Sequence, residues 1–413
     1  MTEGWDLVLI GAVLIGYAVF SRRLAGSPVT AAIVFVGAGL LFGGDGLEIV
    51  EIQLESADLR LLAEVTLALV LFTDATSLDA DRLKRQTTLP VRLLGIALPL
   101  AIVIGTVVAI PLFSELGLWE AVVLAVLLAP TDAALGQTVV SDKRLPTMVR
   151  QGLNVESGLN DGVCVPILVA AVAFAELEEH PEFEGEVIVD LIKEVGIAVG
   201  VGLGVALVVV GLMRMSESRN WLGEEWARIV PLATAAVAYV ATAELHGSGF
   251  IATFVAGLAY GRLLGPLAHR SIALNEEIGQ LLSAITFFMF GAVMVGQAFD
   301  DIDASVVAYA LLSLTLVRMV SVGISLVHTG ARPPTMAFVG WFGPRGLATI
   351  VFTLTIVEES GLPGTTTITN AATITVLFSV VLHGVTAPAL TSRYSEWLTS
   401  NPDPLAQQDQ EPT

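Results

Sequence analysis

Apolar runs of roughly 17 to 25 residues recur from one end of this chain to the other, a pattern that water-soluble folds do not carry. Each run can cross the hydrocarbon core of a bilayer as a helix, the one form in which a single segment satisfies its own backbone donors and acceptors. A transmembrane barrel would instead show strands of about 10 residues with alternating polarity, and the long continuous runs exclude it. Of 413 residues, 54% are hydrophobic and 15% charged, whereas about a quarter are charged in a soluble domain. The expected fold class is an all-α polytopic membrane protein.

The hydropathy pattern predicts about thirteen helices, near 5–20, 27–43, 61–78, 90–113, 118–140, 150–174, 187–212, 227–244, 249–264, 277–298, 304–327, 335–357 and 366–391. One transmembrane domain over 1–398 follows, with core helices about 90–174 and 304–391 and a short disordered cytoplasmic tail over 399–413. The stretch Leu7 to Phe20 carries Glu3 and Asp6 where a signal peptide would carry basic residues, so it reads as a first helix that stays. With the N-terminus outside, sixteen of the twenty basic residues fall in inner connections, among them Arg22, Arg82, Lys143, Arg214, Arg270 and Arg393. Only Arg60 and Lys193 fall outside, and Arg318 and Arg345 lie within helices. The positive-inside rule therefore predicts an outer N-terminus and a cytoplasmic C-terminus.

Net charge is −20, with three lysines against 40 acidic residues. The acidic outer connections read as solubility in salt, or as local enrichment of cations at an entrance. The single Cys164 excludes an internal disulfide and reads as packing.

Chemistry enters where charges interrupt the apolar pattern. Glu156, Asn160 and Asp161 lie in an apolar segment, Thr131-Asp132 lies about one helix upstream, and Arg345 lies far downstream. Ionisable groups at such depth are costly and mark ion paths or proton relays. Two helices read as broken, at Ala129-Pro130-Thr131-Asp132 and at Gly343-Pro344-Arg345-Gly346, because proline removes a donor and glycine loosens the helix. Helices four to six match eleven to thirteen, an odd offset that predicts inverted repeats with two broken crossing helices.

Ser157 and Asp161 share a helical face, as do Glu156 and Asn160. Asp161, the Ser157 hydroxyl and unwound carbonyls near Thr131 form a hard oxygen set suited to Na⁺, and without Cys or His a soft transition metal does not fit. One buried carboxylate that holds either a proton or a cation is the physical basis of exchange. Arg345 cannot lose its proton and needs a partner, for which Glu156 is the first candidate; Asp132 is the second candidate partner or a subsidiary ion ligand. Arg318 is expected to snorkel to the cytoplasmic surface, and Asp74 is a possible gate. His246 and His383, at or near helix ends, read as packing or capping residues, with tuning of the pH response as the other reading.

These residues together resemble the cation:proton antiporter 1 class of bacterial and archaeal sodium/proton antiporters, the NhaP-like group. The resemblance rests on Asn160-Asp161 preceded by Glu156 and Ser157, with Thr131-Asp132 upstream and Gly343-Pro344-Arg345-Gly346 downstream, and spans nearly the whole chain. It implies a homodimer in the plasma membrane with an elevator motion. It also implies that Asp161, Ser157 and Thr131 bind the ion, that Glu156 pairs with Arg345, and that Asn160 makes the exchange 1:1 and electroneutral. Ala133 stands where the family often has proline, so the first break relies on Pro130.

A K⁺/H⁺ antiporter is the nearest rival. Gly158-Leu159-Asn160-Asp161 narrowly misses the Gly-x-Gly-Asp signature of intramembrane aspartyl proteases, and nothing resembles a channel filter. No Walker motif, dinucleotide fingerprint or nucleic-acid patch occurs, so no cofactor, ATP or nucleic-acid partner is expected.

Overall fold

The computed structural model describes residues 5–24, 26–44, 46–47, 49, 57–78, 88–179, 184–300, 302–359, 361–401 and 403–404. Arg82, Lys84 and Arg85, most of the acidic connections 45–56 and 180–183, and the end of the tail from 405 lie outside the described residues.

In chain order the helices are α1 (Trp5–Leu24), α2 (Ala31–Phe42), α3 (Ala57–Ser77), α4 (Thr88–Leu112), α5 (Leu118–Leu127), α6 (Gln137–Val140), α7 (Thr147–Glu179) and α8 (Glu184–Ser218). They continue as α9 (Glu224–Ala243), α10 (Gly249–Leu264), α11 (Pro266–Ser271), α12 (Ala273–Phe299), α13 (Ala304–Ser325), α14 (Pro333–Trp341), α15 (Leu347–Glu359) and α16 (Thr365–Ser400). Each of the thirteen expected segments is helical over most of its length, two of them in two pieces. Among the described residues, eight helices are long and apolar enough to cross a bilayer singly.

The residues divide into two compact units. The first takes residues 1–60, 87–160 and 284–413. In it, α2 meets a widened, π-helical turn of α12 at Phe290–Val295 so closely that a side chain on Gly39 would strike the Phe288 carbonyl, and one on Gly291 the Val36 carbonyl. Two similar turns lie at Leu93–Ala97 in α4 and Ser313–Val317 in α13. A hydrophobic cluster of Leu93, Val149, Leu153, Val322, Phe338 and Tyr394 holds α4, α7, α13, α14 and α16 together.

The second unit takes residues 61–86 and 161–283. Its centre is α10, where Gly257 and Gly261 let the helix approach the α3 carbonyls of Phe72 and Thr76. The Thr76 hydroxyl donates back to the Gly257 carbonyl at 3.2 Å. Buried Tyr260 packs on Phe72, ring centroids 5.5 Å apart, and its hydroxyl shares a 3.2 Å hydrogen bond with Ser271.

The expectation of a disordered tail from 399 needs correcting over its first residues. Helix α16 runs to Ser400, and Asp403 is buried. The Asp403 carboxylate accepts from the Arg332 N–H at 3.0 Å and the Thr335 hydroxyl at 2.5 Å, at the start of α14. That helix opens on Pro333 and Pro334, which carry no N–H and need no acceptor, and the tail ties its start through the Arg332 N–H and the Thr335 hydroxyl.

Candidate ion-binding site

Both sequence breaks are real interruptions of helix. Helix α5 stops at Leu127, Pro130 cannot donate, and no helix resumes until Gln137. Helix α14 stops at Trp341, and α15 starts at Leu347 after Phe342-Gly343-Pro344-Arg345-Gly346. A broken helix leaves backbone groups orphaned, and within a membrane protein those groups must find partners.

Here the two breaks satisfy each other. The Asp132 N–H donates to the Pro344 carbonyl at 2.7 Å. The Arg345 guanidinium donates through Nη1 to the carbonyls of Pro130, at 2.8 Å, and Ala129. The Thr349 hydroxyl donates to the Leu127 carbonyl at 2.8 Å. In return the Asp132 carboxylate accepts from Ala134 N–H at 2.7 Å and Leu135 N–H at 3.1 Å through Oδ1, and from Leu347 N–H at 2.8 Å through Oδ2. A carboxylate thus faces the N-terminus of α15 and a guanidinium the carbonyls just beyond the C-terminus of α5, each at the helix end whose dipole it complements.

Beside this crossing, α7 contributes Ser157 and Asn160. The Asn160 side-chain amide donates to the Thr131 hydroxyl at 2.7 Å, and that hydroxyl lies 2.9 Å from the Ser157 hydroxyl. All three residues are buried, and Asn160 Oδ1 has no hydrogen-bond partner among the described residues. An orphaned buried acceptor costs about 1–3 kcal/mol, which a ligand supplying a positive charge or a proton would recover. The cluster offers hard oxygens and no sulfur or imidazole, in keeping with a cation of the alkali type.

Asp161 follows Asn160 on the same helix and is buried; it belongs with the second unit. Asp74, on α3 of that unit, is half-buried.

The charge pairing differs from the sequence reading. Glu156 pairs not with Arg345 but with Arg318, Nη1 to Oε1 at 2.5 Å and Nη2 to Oε2 at 2.8 Å, with both side chains at most 3% exposed. Arg318 therefore does not snorkel. It begins the α-helical stretch after the π-helical turn Ser313–Val317, and its guanidinium passes over Gly343, where a side chain would collide with it. Arg345 instead meets the orphaned carbonyls of the first break, partners that the sequence reading had not counted. Asp132, the second candidate for Arg345, spends its oxygens on backbone donors. The signal for Arg318 was its own position, deep in an apolar segment.

Comparison with known proteins gives a family and a fold. Residues 9–393 match the family described as "Sodium/hydrogen exchanger, transmembrane". A K⁺/H⁺ antiporter of Alkalimonas amylolytica is 25% identical over 87% of this chain, which spans 61% of that protein's length. An Na⁺/H⁺ antiporter of Aphanothece halophytica is 26% identical over 87% of this chain and 68% of its own length. The solved sodium/proton antiporter of Methanocaldococcus jannaschii superposes with a TM-score of 0.74 at 20% identity, covering 93% of this chain and all of the other, and so shares the fold.

Proposed function

The chain belongs to the sodium/hydrogen exchanger family of membrane transporters, and on that premise we propose that it exchanges a small monovalent cation for protons across the membrane. The observation that carries this reading is the buried oxygen cluster of Thr131, Ser157 and Asn160, one residue along the helix from the buried carboxylate of Asp161.

A buried carboxylate can hold either a proton or a cation. Occupancy by one excludes the other, so returning across the membrane with either ligand couples the two flows. Asp161 is the alternating group in this proposal, Ser157 and Thr131 supply neutral ligands to Na⁺, and Asn160 holds the Thr131 hydroxyl in place. Asn160 brings no second charge, which accords with 1:1, electroneutral exchange. Asp132 and Arg345 fix the two breaks, Glu156 with Arg318 forms a neutral buried tie, and Asp74 is proposed as a gate. A homodimer in the plasma membrane, with the N-terminus outside, the C-terminus cytoplasmic and an elevator motion, completes the proposal.

The name of the Alkalimonas relative supports a second reading, in which the cation is K⁺. Cation choice depends on the size and stiffness of the ligand set. The test is a pH-sensitive dye trapped in proteoliposomes, with Na⁺ or K⁺ added outside. A pH change that Asp161→Asn abolishes establishes antiport, and the Na⁺ to K⁺ ratio assigns the ion. No response to either ion between about pH 5 and 9 defeats both readings.

A further inference from the structure

One turn of α16 touches both ends of the second break. The Arg345 backbone N–H, the first after Pro344, donates to the Ser379 hydroxyl at 2.6 Å. On the near side, the Trp341 carbonyl, the last of α14, lies 2.9 Å from His383 Nε2 and accepts its proton. Ser379 and His383 are four residues apart, and His383 Nδ1 lies 3.2 Å from the Ser379 hydroxyl and 2.9 Å from the Ser379 carbonyl. The two side chains therefore hold each other as well as the break. Both are fully or almost fully buried, and the Trp341 ring rests beside the imidazole at 5.3 Å.

The backbone between these two anchors carries Gly343, Pro344 and Arg345, and through Pro344 and Arg345 three of the bonds that join the second break to the first. Pro344 accepts from the Asp132 N–H, and Arg345 donates to the carbonyls of Ala129 and Pro130, immediately before Thr131. We propose that Ser379 and His383 are positioning residues, a clamp that sets the geometry of the unwound segment at 342–346 and, through Arg345, of the backbone leading into Thr131. Neither residue needs to touch the transported ion. Only the transport consequence rests on the antiport reading; the clamp itself does not.

Two readouts test it in the full-length protein. Ser379→Ala removes a single oxygen and leaves the fold its best chance to survive. Hydrogen–deuterium exchange over Phe342 to Gly346 is expected to accelerate in Ser379→Ala. His383→Gln keeps a donor for the Trp341 carbonyl but loses the ring nitrogen facing Ser379, and a smaller acceleration is expected. Thr391→Val alters a buried hydroxyl on the same helix that has no hydrogen-bond partner among the described residues and serves as control. Unchanged exchange in Ser379→Ala, or equal acceleration in Thr391→Val, overturns the clamp. In proteoliposomes, the cation concentration for half-maximal rate is expected to rise about tenfold in Ser379→Ala, the scale set by groups that orient metal ligands, with the maximal rate much less affected. A fall in thermal stability with an unchanged half-saturation point would mean a merely structural role. A wild type that moves no cation would defeat the antiport reading, and the exchange experiment would still decide the clamp.

Discussion

The guanidinium of Arg318 occupies the space that a β-carbon on Gly343 would need, its Cζ 2.7 Å from that position, so the missing side chain is what lets Arg318 reach Glu156. A flexible arginine could normally move aside. This one is fixed at its far end by two hydrogen bonds in a buried pocket. Gly343→Ala is therefore expected to lower the thermal midpoint in detergent, by an overpacking cost of about 1–3 kcal/mol. Gly323→Ala, on the same helix as Arg318 but with nothing within 4 Å of the added carbon, should not. Equal midpoints for the two variants would mean that Arg318 is not held as described.

The pairing itself can be tested by rescue. Arg318→Met leaves the Glu156 carboxylate buried without its partner, which costs about 3–5 kcal/mol where such pairs have been broken. A companion Glu156→Gln removes the stranded charge and should restore part of that loss. The same companion should do nothing for Arg345→Ala, whose damage falls on the carbonyls of Ala129 and Pro130. Rescue of Arg345→Ala instead would return the pairing to the one first read from the sequence.

That difference shows what the sequence could and could not carry. The helices were legible as apolar runs, and the breaks as Pro130 and Pro344 beside charges, because both signals are local. Glu156, Asn160, Thr131 and Ser157 were legible as buried polar groups for the same reason. Which arginine meets Glu156 was not. It depends on a π-helical turn at Ser313–Val317, whose apolar and hydroxyl residues carry no mark of it, and on a gap at Gly343 in the second helix break. Nor could the sequence separate Asp132 as an ion ligand from Asp132 as a cap, since both readings need only a carboxylate beside a break.

Asp132→Asn separates those two roles. An amide can accept at only one end, so at least one of the three N–H groups now bonded to the carboxylate would face an NH₂ instead. The expected result is a destabilisation of about 1–3 kcal/mol, present with or without cation, because a buried backbone donor is left unmet. Unchanged stability together with a raised half-saturation point for the cation would restore Asp132 as a ligand.

At the start of α13 the same logic gives a dependence on pH. Asp303 is the N-cap of that helix: its carboxylate accepts from the Val306 N–H at 2.8 Å and from the Ser305 hydroxyl at 2.7 Å. The Val306 bond first, and then the Ser305 bond, hold its pKa below the ordinary carboxylate value. A depressed folded pKa means that the unfolded chain binds the proton more readily, so the contribution to stability is complete above the ordinary value and fades as pH falls through the folded one. The group is largely exposed, so the effect is small and weakens with salt. Asparagine caps a helix about as well as aspartate but does not titrate in this range. Thermal midpoints of wild type and Asp303→Asn should therefore run parallel near neutrality and converge or cross on acidification, with the wild type losing more. Parallel curves down to about pH 3, below the usual carboxylate pKa, would mean that the carboxylate is not bonded to the helix start in the folded protein.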